Sequence, residues 1–327
     1  MTLREPKLLA ALCLLTVFAC VGKAEARKVN VAVPGLSQLI AFAVAKERGF
    51  YQEEGLDVEL ILMRAAVANQ ALIAGNVDFA TTGAAGLTAA LSGLPLRILF
   101  STFRRPMFSL YGRSDIRDIK GLRGKKIGVS SIGTGADSAL REVLKRHGLE
   151  GGRDVVILVI GVTPTRYAAL ESGSVDASML SPPFTFKAEE AGFREIINFG
   201  KEDLVEIQGS VVVHEGLLRS DPPLVEKFTR GTFKGFVYTR DNRSETIPIV
   251  ARLNSIKGDV AEKMYDAVLR PAMTLDGTVS EEIQRKAIEH LIKRVGDRRP
   301  PLAKIFDYSL VRKIRAELEA KGWKPVF

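Results

Sequence analysis

A chain of 327 residues that is 46% hydrophobic and 26% charged has apolar mass enough for one large domain or two lobes, and this composition excludes a disordered or collagen-like chain. Its formal net charge of +9 favours anionic partners through long-range steering. The basic pairs Arg104–Arg105, Lys125–Lys126 and Arg298–Arg299 are scattered and read as solvated surface; with no stripe of basic and aromatic residues, no nucleic-acid partner is expected.

The chain opens as an export leader. Arg4 and Lys7 precede the apolar run LLAALCLLTVFACV, and Ala24–Ala26 supply the small-x-small pattern a signal peptidase cuts after, so residues 1–26 are predicted to be a signal peptide. The run of about 14 residues is shorter than the roughly 20 that a spanning helix needs. A retained anchor stays open as an alternative. Lipidation at Cys20 is a second one, although Phe18 suits it poorly. Cys13 and Cys20 both fall in this leader, so cleavage leaves no thiol for a disulfide or a nucleophile. Loss of Arg4, Lys7, Lys23, Glu5 and Glu25 leaves a charge of +8.

Strand and helix patterns then alternate. KVNVAVPG reads as a strand and SQLIAFAVAKERG as a helix stopped by Gly49; LDVELILM, AVANQALIAG, VDFATT, GAAGLTAALSG and LRILFSTF continue the alternation. After Gly112 it restarts with KKIGVSS, GADSALREVLKRHG, DVVILVIG, TRYAALESG, VDASMLS, PFTFKAEEAG and REIINFG. Such alternation predicts parallel β-α-β units in two α/β lobes. Beyond GSVVVH the pattern becomes helical over 222–240, 245–254, 259–270, 280–295 and 309–320, with Asp221 and Pro222 forming a helix start.

One device occurs twice. ALIAGNVDFATTG from Ala71 and ALESGSVDASMLSPP from Ala169 both place Ala-Leu on a last helical turn, a glycine (Gly75, Gly173) where a left-handed stop is needed, and Val-Asp at a strand start. A helix-to-strand turn that arose twice independently is the alternative reading of the match. The strands that follow end on Thr81, Thr82 and Gly83 and on Ser181, Pro182 and Pro183. Similar exits occur at Ser37 and Gln38, Thr102, Ser130 to Thr134, and Thr163. In open parallel sheets ligands sit beyond the carboxyl ends of strands, where helix starts offer unpaired N–H groups. The hydroxyls can serve a ligand or cap the helices; Thr163 before Pro164 and Ser181 before Pro182 look like N-caps with Pro at the first helical position.

In their order, AVAKERGFYQEEGLDVELI, ALIAGNVDFATTG, GLPLRIL, DIKGLRGKKIGVS and YAALESGSVDASMLSPP resemble the solute-binding proteins of ABC importers for nitrate, sulfonates and taurine and their thiamine-pyrimidine (NMT1-like) relatives. The likeness covers about residues 29 to 215. It implies a two-lobed periplasmic-binding-protein fold of type II, with two parallel-rich sheets joined by a two-segment hinge. Lobe 1 would take 27–110 and 212–327 and lobe 2 would take 111–211, with crossings near Ser109–Arg113 and Glu206–Gly209. The ligand-facing positions it implies are Ser37, Gln38, Thr81, Thr82, Gly83, Ser130, Ser131, Gly133, Thr134, Ser181 and Pro182, with Thr102, Thr163 and Gln208 added. Phe103 and Phe184 could stack on a flat ligand or pack in the core, and Arg104 and Arg166 are candidates for an anion fork.

Catalytic patterns are missing from the sequence. His147, His214 and His290 lie in separate elements without zinc-site spacing, no G-x-S-x-G or Walker sequence occurs, and GTGADS lacks the third glycine of a dinucleotide loop. The cysteine cluster of the related pyrimidine-forming enzymes would also be missing after cleavage. The expectation is therefore a binding protein and not an enzyme, needing no cofactor or metal. It would act as a monomer in the periplasm, capturing a small organic anion for an ABC permease; a neutral heterocycle such as a pyrimidine, or a sensory role, are the alternatives.

Overall fold

The computed structural model describes residues 25–202, 204, 207–295 and 300–324. Nearly all of the predicted leader, Glu206 of the expected second crossing and the side chain of His290 lie outside the described part. The first half builds one sheet from β1 (Arg27–Val33), α1 (Leu36–Glu47), β2 (Leu56–Leu62), α2 (Ala65–Ile73), β3 (Phe79–Ala80), α3 (Ala84–Leu91) and β4 (Leu96–Phe103). The chain crosses over 104–108 and builds a second from β5 (Ser109–Gly112), β6 (Lys126–Val129), α4 (Gly135–Arg146), β7 (Val156–Val159), α5 (Thr163–Glu171), β8 (Ala177–Leu180), α6 (Phe184–Glu190) and β9 (Arg194–Asn198). It returns as β10 (Gln208–His214) to the first sheet. Ser109–Gly112, expected at a crossing, instead pair as β5 with β8 and β9.

The helical end comprises α7 (Glu215–Ser220), α8 (Pro222–Asp241), α9 (Arg243–Asn254), α10 (Gly258–Met264), a π-helical turn at Tyr265–Leu269, α11 (Arg270–Ala272), α12 (Glu281–Val295) and α13 (Ser309–Ala320). As expected, Asp221 caps α8 by accepting from Leu224 N at 3.1 Å, with Pro222 at the start.

Each sheet has five strands, ordered β2-β1-β3-β10-β4 and β7-β6-β8-β5-β9. β1 runs parallel to β2 and β3, and β6 to β7 and β8. β10 is antiparallel to β3 and β4, and β5 to β8 and β9, so both sheets are mixed. The reversed strand is in each case the one that has just crossed. A strand leaving one lobe at its carboxyl edge enters the other lobe at the facing edge, and must run away from it.

Alternation sends side chains to both faces of each sheet. Val29, Val31, Val33, Val211 and Val213 join the core under α1, α8 and α13, while Ala32 and Val212 join the one under α2, α3 and α12. Phe228 of α8 stacks between Tyr51 and Phe79, with ring centroids 5.5 and 4.0 Å away. The second sheet divides in the same way, with Ile127, Val129 and Met179 on one face and Tyr111 and Leu180 on the other. No described helix is long and apolar enough to cross a membrane.

Candidate functional site

A cleft separates the carboxyl edges of the two sheets. One wall comes from the exits of β1, β2 and β3 (Ser37 and Gln38; Leu62 and Arg64; Thr82), the other from those of β6, β7 and β8 (Ser130 and Thr134; Val162, Thr163 and Arg166; Ser181, Pro182 and Phe184). Met107 and Phe108 of the first crossing and Gln208 of the returning strand form its floor. Ten of the predicted positions, Ser37, Gln38, Thr82, Ser130, Thr134, Thr163, Ser181, Pro182, Phe184 and Gln208, therefore meet in one place.

The rest stand off the wall, each for a local reason. Thr81 is buried, its Oγ1 without a hydrogen-bond partner, because residues next to each other along a strand point to opposite faces. Gly83 brings the backbones together: its φ is +48°, and a Cβ there would come within 2.2 Å of Ile207 O, so this glycine fits β3 against the returning chain. Thr102 is buried and donates to Gly209 O at 2.8 Å. Ser131 donates to Ser130 O at 2.8 Å, and Gly133, at φ +83°, donates its N–H to Asp137. Phe103 is in the core and Arg104 does not line the cleft.

Capping is the reverse of the sequence expectation. Only α4 among the six cleft helices has a side-chain cap: Thr134 Oγ1 accepts from Asp137 N at 3.3 Å and donates to Ser131 O at 3.0 Å, which uses its one donor. α1, α2, α3, α5 and α6 start on Gly35, Arg64, Gly83, Val162 and Pro183 with no side-chain cap. Thr163 and Ser181 are thus not N-caps. Thr163 is already the first residue of α5, and α6 starts at Phe184 with Pro183 as its N-cap. Uncapped helix starts leave N–H groups and positive dipole ends facing the cleft.

The remaining polar groups are either positioned or unused. Ser37 Oγ donates to Pro182 O at 3.0 Å, a bond between the lobes. Thr82 Oγ1 donates to Asn69 Oδ1 at 2.8 Å, and Asn69 is a support that no motif in the sequence singles out. Gln38 Oε1 is buried without a partner, and the Gln208 side chain, on a residue only 7% exposed, makes no hydrogen bond among the described residues. Either amide can turn to present NH₂ or C=O to a guest. Phe184 packs on Tyr167 at 5.6 Å and carries Lys187 Nζ 5.0 Å above its ring.

Arg166 dominates the electrostatics. It is 6% exposed, and donates from Nε to Met179 O at 2.6 Å, from Nη2 to Thr163 Oγ1 at 3.0 Å and from Nη1 to Gly161 O. Every acceptor is neutral, and among the described residues no Asp or Glu lines the cleft. Burial lowers its pKa to about 10, which still leaves it cationic at neutral pH. Arg64, at the exit of β2, adds a second positive charge. It sits at a strand exit like the others but lacks the hydroxyl and glycine signature that marks them, and so escaped the sequence analysis.

The histidines serve the scaffold. His147 Nδ1 bonds Val143 O at the end of α4, and His214 Nδ1 accepts from Gly216 N at the start of α7. Among the described residues no group of three or more His, Cys, Asp or Glu could hold a metal.

Known proteins match this architecture. The riboflavin-binding protein RibY of Chloroflexus aurantiacus is 26% identical over 225 residues, 65% of this chain; the match spans 62% of that protein's own length. A Bacillus subtilis protein named for binding aliphatic sulfonates is 25% identical over 88% of this chain and 89% of its own. The periplasmic nitrate-binding protein NrtA of Synechocystis PCC 6803 superposes with a TM-score of 0.75 at 14% identity, over 90% of each chain, so the fold is that of the periplasmic binding proteins. The desulfurization enzyme DSZB shares the fold, with a TM-score of 0.66 at 16% identity over 89% of this chain and 99% of its own. Residues 37–246 match the family described as NMT1/THI5 like, and the chain belongs to that family.

Proposed function

We propose that the protein captures a small organic anion, a sulfonate or carboxylate, between its lobes and delivers it to an ABC permease, as an exported, monomeric periplasmic binding protein. The observation that carries this reading is Arg166, a buried cation whose three acceptors are all neutral. A buried charge without a counter-ion is unfavourable, and an anion entering the cleft would supply one. A guanidinium has five N–H groups, so two remain after its three bonds. Uncapped helix starts on both walls add further donors. Exclusion of water between the lobes would strengthen each contact, and the bond from Ser37 to Pro182 offers a link favouring closure.

The apolar part of the cleft, with Leu62, Val162, Met107 and Phe184, suits an organic body better than a bare inorganic ion. The same walls support the second reading, a neutral heterocycle stacked near Phe184, and one relative is named for riboflavin. Catalysis is not part of the proposal, because no paired acid and base faces this cleft among the described residues.

A thermal-shift panel of ethanesulfonate, benzenesulfonate, benzoate, nitrate and thymine tests the reading. A ligand at 100 times its Kd should add about 2.7 kcal/mol of stability. The anion reading stands if a sulfonate or carboxylate raises Tm, and falls if none does or if thymine alone does.

A further inference from the structure

We propose that Arg64 and Arg166, from opposite lobes, form an anion clamp around Gly161, with Arg64 as the residue that decides specificity for a charged headgroup. This rests on the anion reading above and adds to it a second cation, from the facing lobe.

Three observations meet at Gly161. Its φ of +115° lies where side chains are strained, and Arg64 Cδ is 3.9 Å from where a Cβ would stand, an ordinary contact distance, so the Arg64 stem reaches Gly161 at the mouth of β7. The carbonyl of the same residue accepts from Arg166 Nη1. Two arginines, one rooted at the start of α2 and one on the first turn of α5, thus approach one glycine from opposite lobes.

Neither has a carboxylate partner. Elsewhere arginines of this protein are held by acids: Arg230 by Glu226 and Glu317, Arg243 by Glu262 and Asp266. Arg64 makes no ion pair and no side-chain hydrogen bond among the described residues although it lines the cleft, and Arg166 bonds only neutral oxygens. Two like charges facing each other across a closing gap repel, and they attract the same anion placed between them. Lobe closure then depends on a charged guest. A sulfonate or carboxylate offers oxygens to both guanidinium forks; a neutral ring offers nothing that offsets their repulsion.

Arg64 is exposed, so its replacement leaves the fold intact, and the apo Tm of Arg64→Gln should equal that of the wild type. Calorimetric titrations of wild type, Arg64→Gln and Arg64→Lys with benzenesulfonate, benzoate and thymine test the clamp. Arg64→Gln should weaken the anion that the wild type binds about tenfold, as expected for loss of a hydrogen bond to a charged group. Arg64→Lys should recover part of that loss, because it keeps the charge without the fork. Any thymine binding should hold in Arg64→Lys and hold or tighten in Arg64→Gln, which removes one of the two like charges. If Arg64→Gln binds the anion within twofold of the wild type, the clamp is overturned and the anion reading survives. If the wild type binds no sulfonate or carboxylate, or thymine alone, both fall together.

Discussion

The two lobes are one scaffold used twice with different chemistry. Strand for strand, β2-β1-β3-β10-β4 corresponds to β7-β6-β8-β5-β9. The repeated segment falls at equivalent joints. Gly75 and Gly173 both have φ +74°, and the two aspartates that follow do the same work: Asp78 accepts from Asn30 N and Asp176 from Lys126 N, each at 2.8 Å. Each carboxylate pins its lobe's first parallel strand to the one its own segment opens, β1 to β3 and β6 to β8. The lobes differ at the same register. Arg64 of lobe 1 stands where lobe 2 has Val162, and Arg166 of lobe 2 where lobe 1 has Ala68. Repetition supplies two facing edges; unlike residues at matching positions give each edge a cation at a different depth.

The largest expected effect tests the other difference, the bulk of lobe 1. Its core includes Phe228, stacked on two rings, and draws on α8 and α13, which have no counterpart in lobe 2. Phe228→Ala should cost about 3–5 kcal/mol in urea unfolding. If lobe 2 is the less stable half, it will unfold first in the variant only when the loss is small; a loss of that size should bring lobe 1 down to it and change the shape of the transition. An unchanged midpoint would mean that the helical end does not stabilise lobe 1.

Next in size is Arg166→Met, which removes the deep cation from one side of the comparison. Loss of a charge-assisted contact to a buried anion costs about 2–4 kcal/mol, so anion affinity should fall by roughly 30-fold to a thousandfold while thymine binding does not weaken. The wild-type pH profile gives an independent check. The folded pKa of Arg166 is lowered, to about 10, so binding that needs its charge is complete below that value and fades as pH rises through it. Equal anion affinity at pH 8 and pH 11 would remove Arg166 from the site.

Much of this was legible in the sequence because the information is local. Strand boundaries such as Leu96–Phe103, the helix stops at Gly75 and Gly173, and the α8 start at Asp221 depend on neighbours a few residues away. Reversal of β5 and β10 was not legible, since direction in a sheet follows from which edge the chain enters. Thr81 and Thr82 look alike in sequence; both are buried, and only Thr82 lines the cleft. The hydroxyl-rich exits line both walls of the cleft, but the charge there comes from Arg64 and Arg166. The sequence pairs Arg166 with Arg104 as anion-fork candidates, and only burial, neutral acceptors and the cleft lining separate the two.

A smaller effect probes the shared joint directly. Asp78→Ala and Asp176→Ala should each cost about 1–3 kcal/mol, since each leaves a strand N–H without its charged acceptor. Matching losses support equivalent roles. A clear loss for one and none for the other would show that the repeated segment is a turn that merely recurs.

The smallest expected effect lies where the lobes touch. Ser37 Oγ to Pro182 O is a single neutral hydrogen bond at 3.0 Å between the start of α1 and the exit of β8. Such a bond contributes about 0.5–1.5 kcal/mol. It exists only while the lobes face each other, so Ser37→Ala should leave the unfolding of either lobe almost unchanged and weaken ligand binding by a factor of about 2 to 10. Because the bond favours the closed form whatever the guest, its loss should weaken anionic and neutral ligands alike, unlike Arg166→Met, which should discriminate between them. A Ser37→Ala effect confined to anions would instead make Ser37 a ligand contact, and the link between the lobes would have to lie elsewhere.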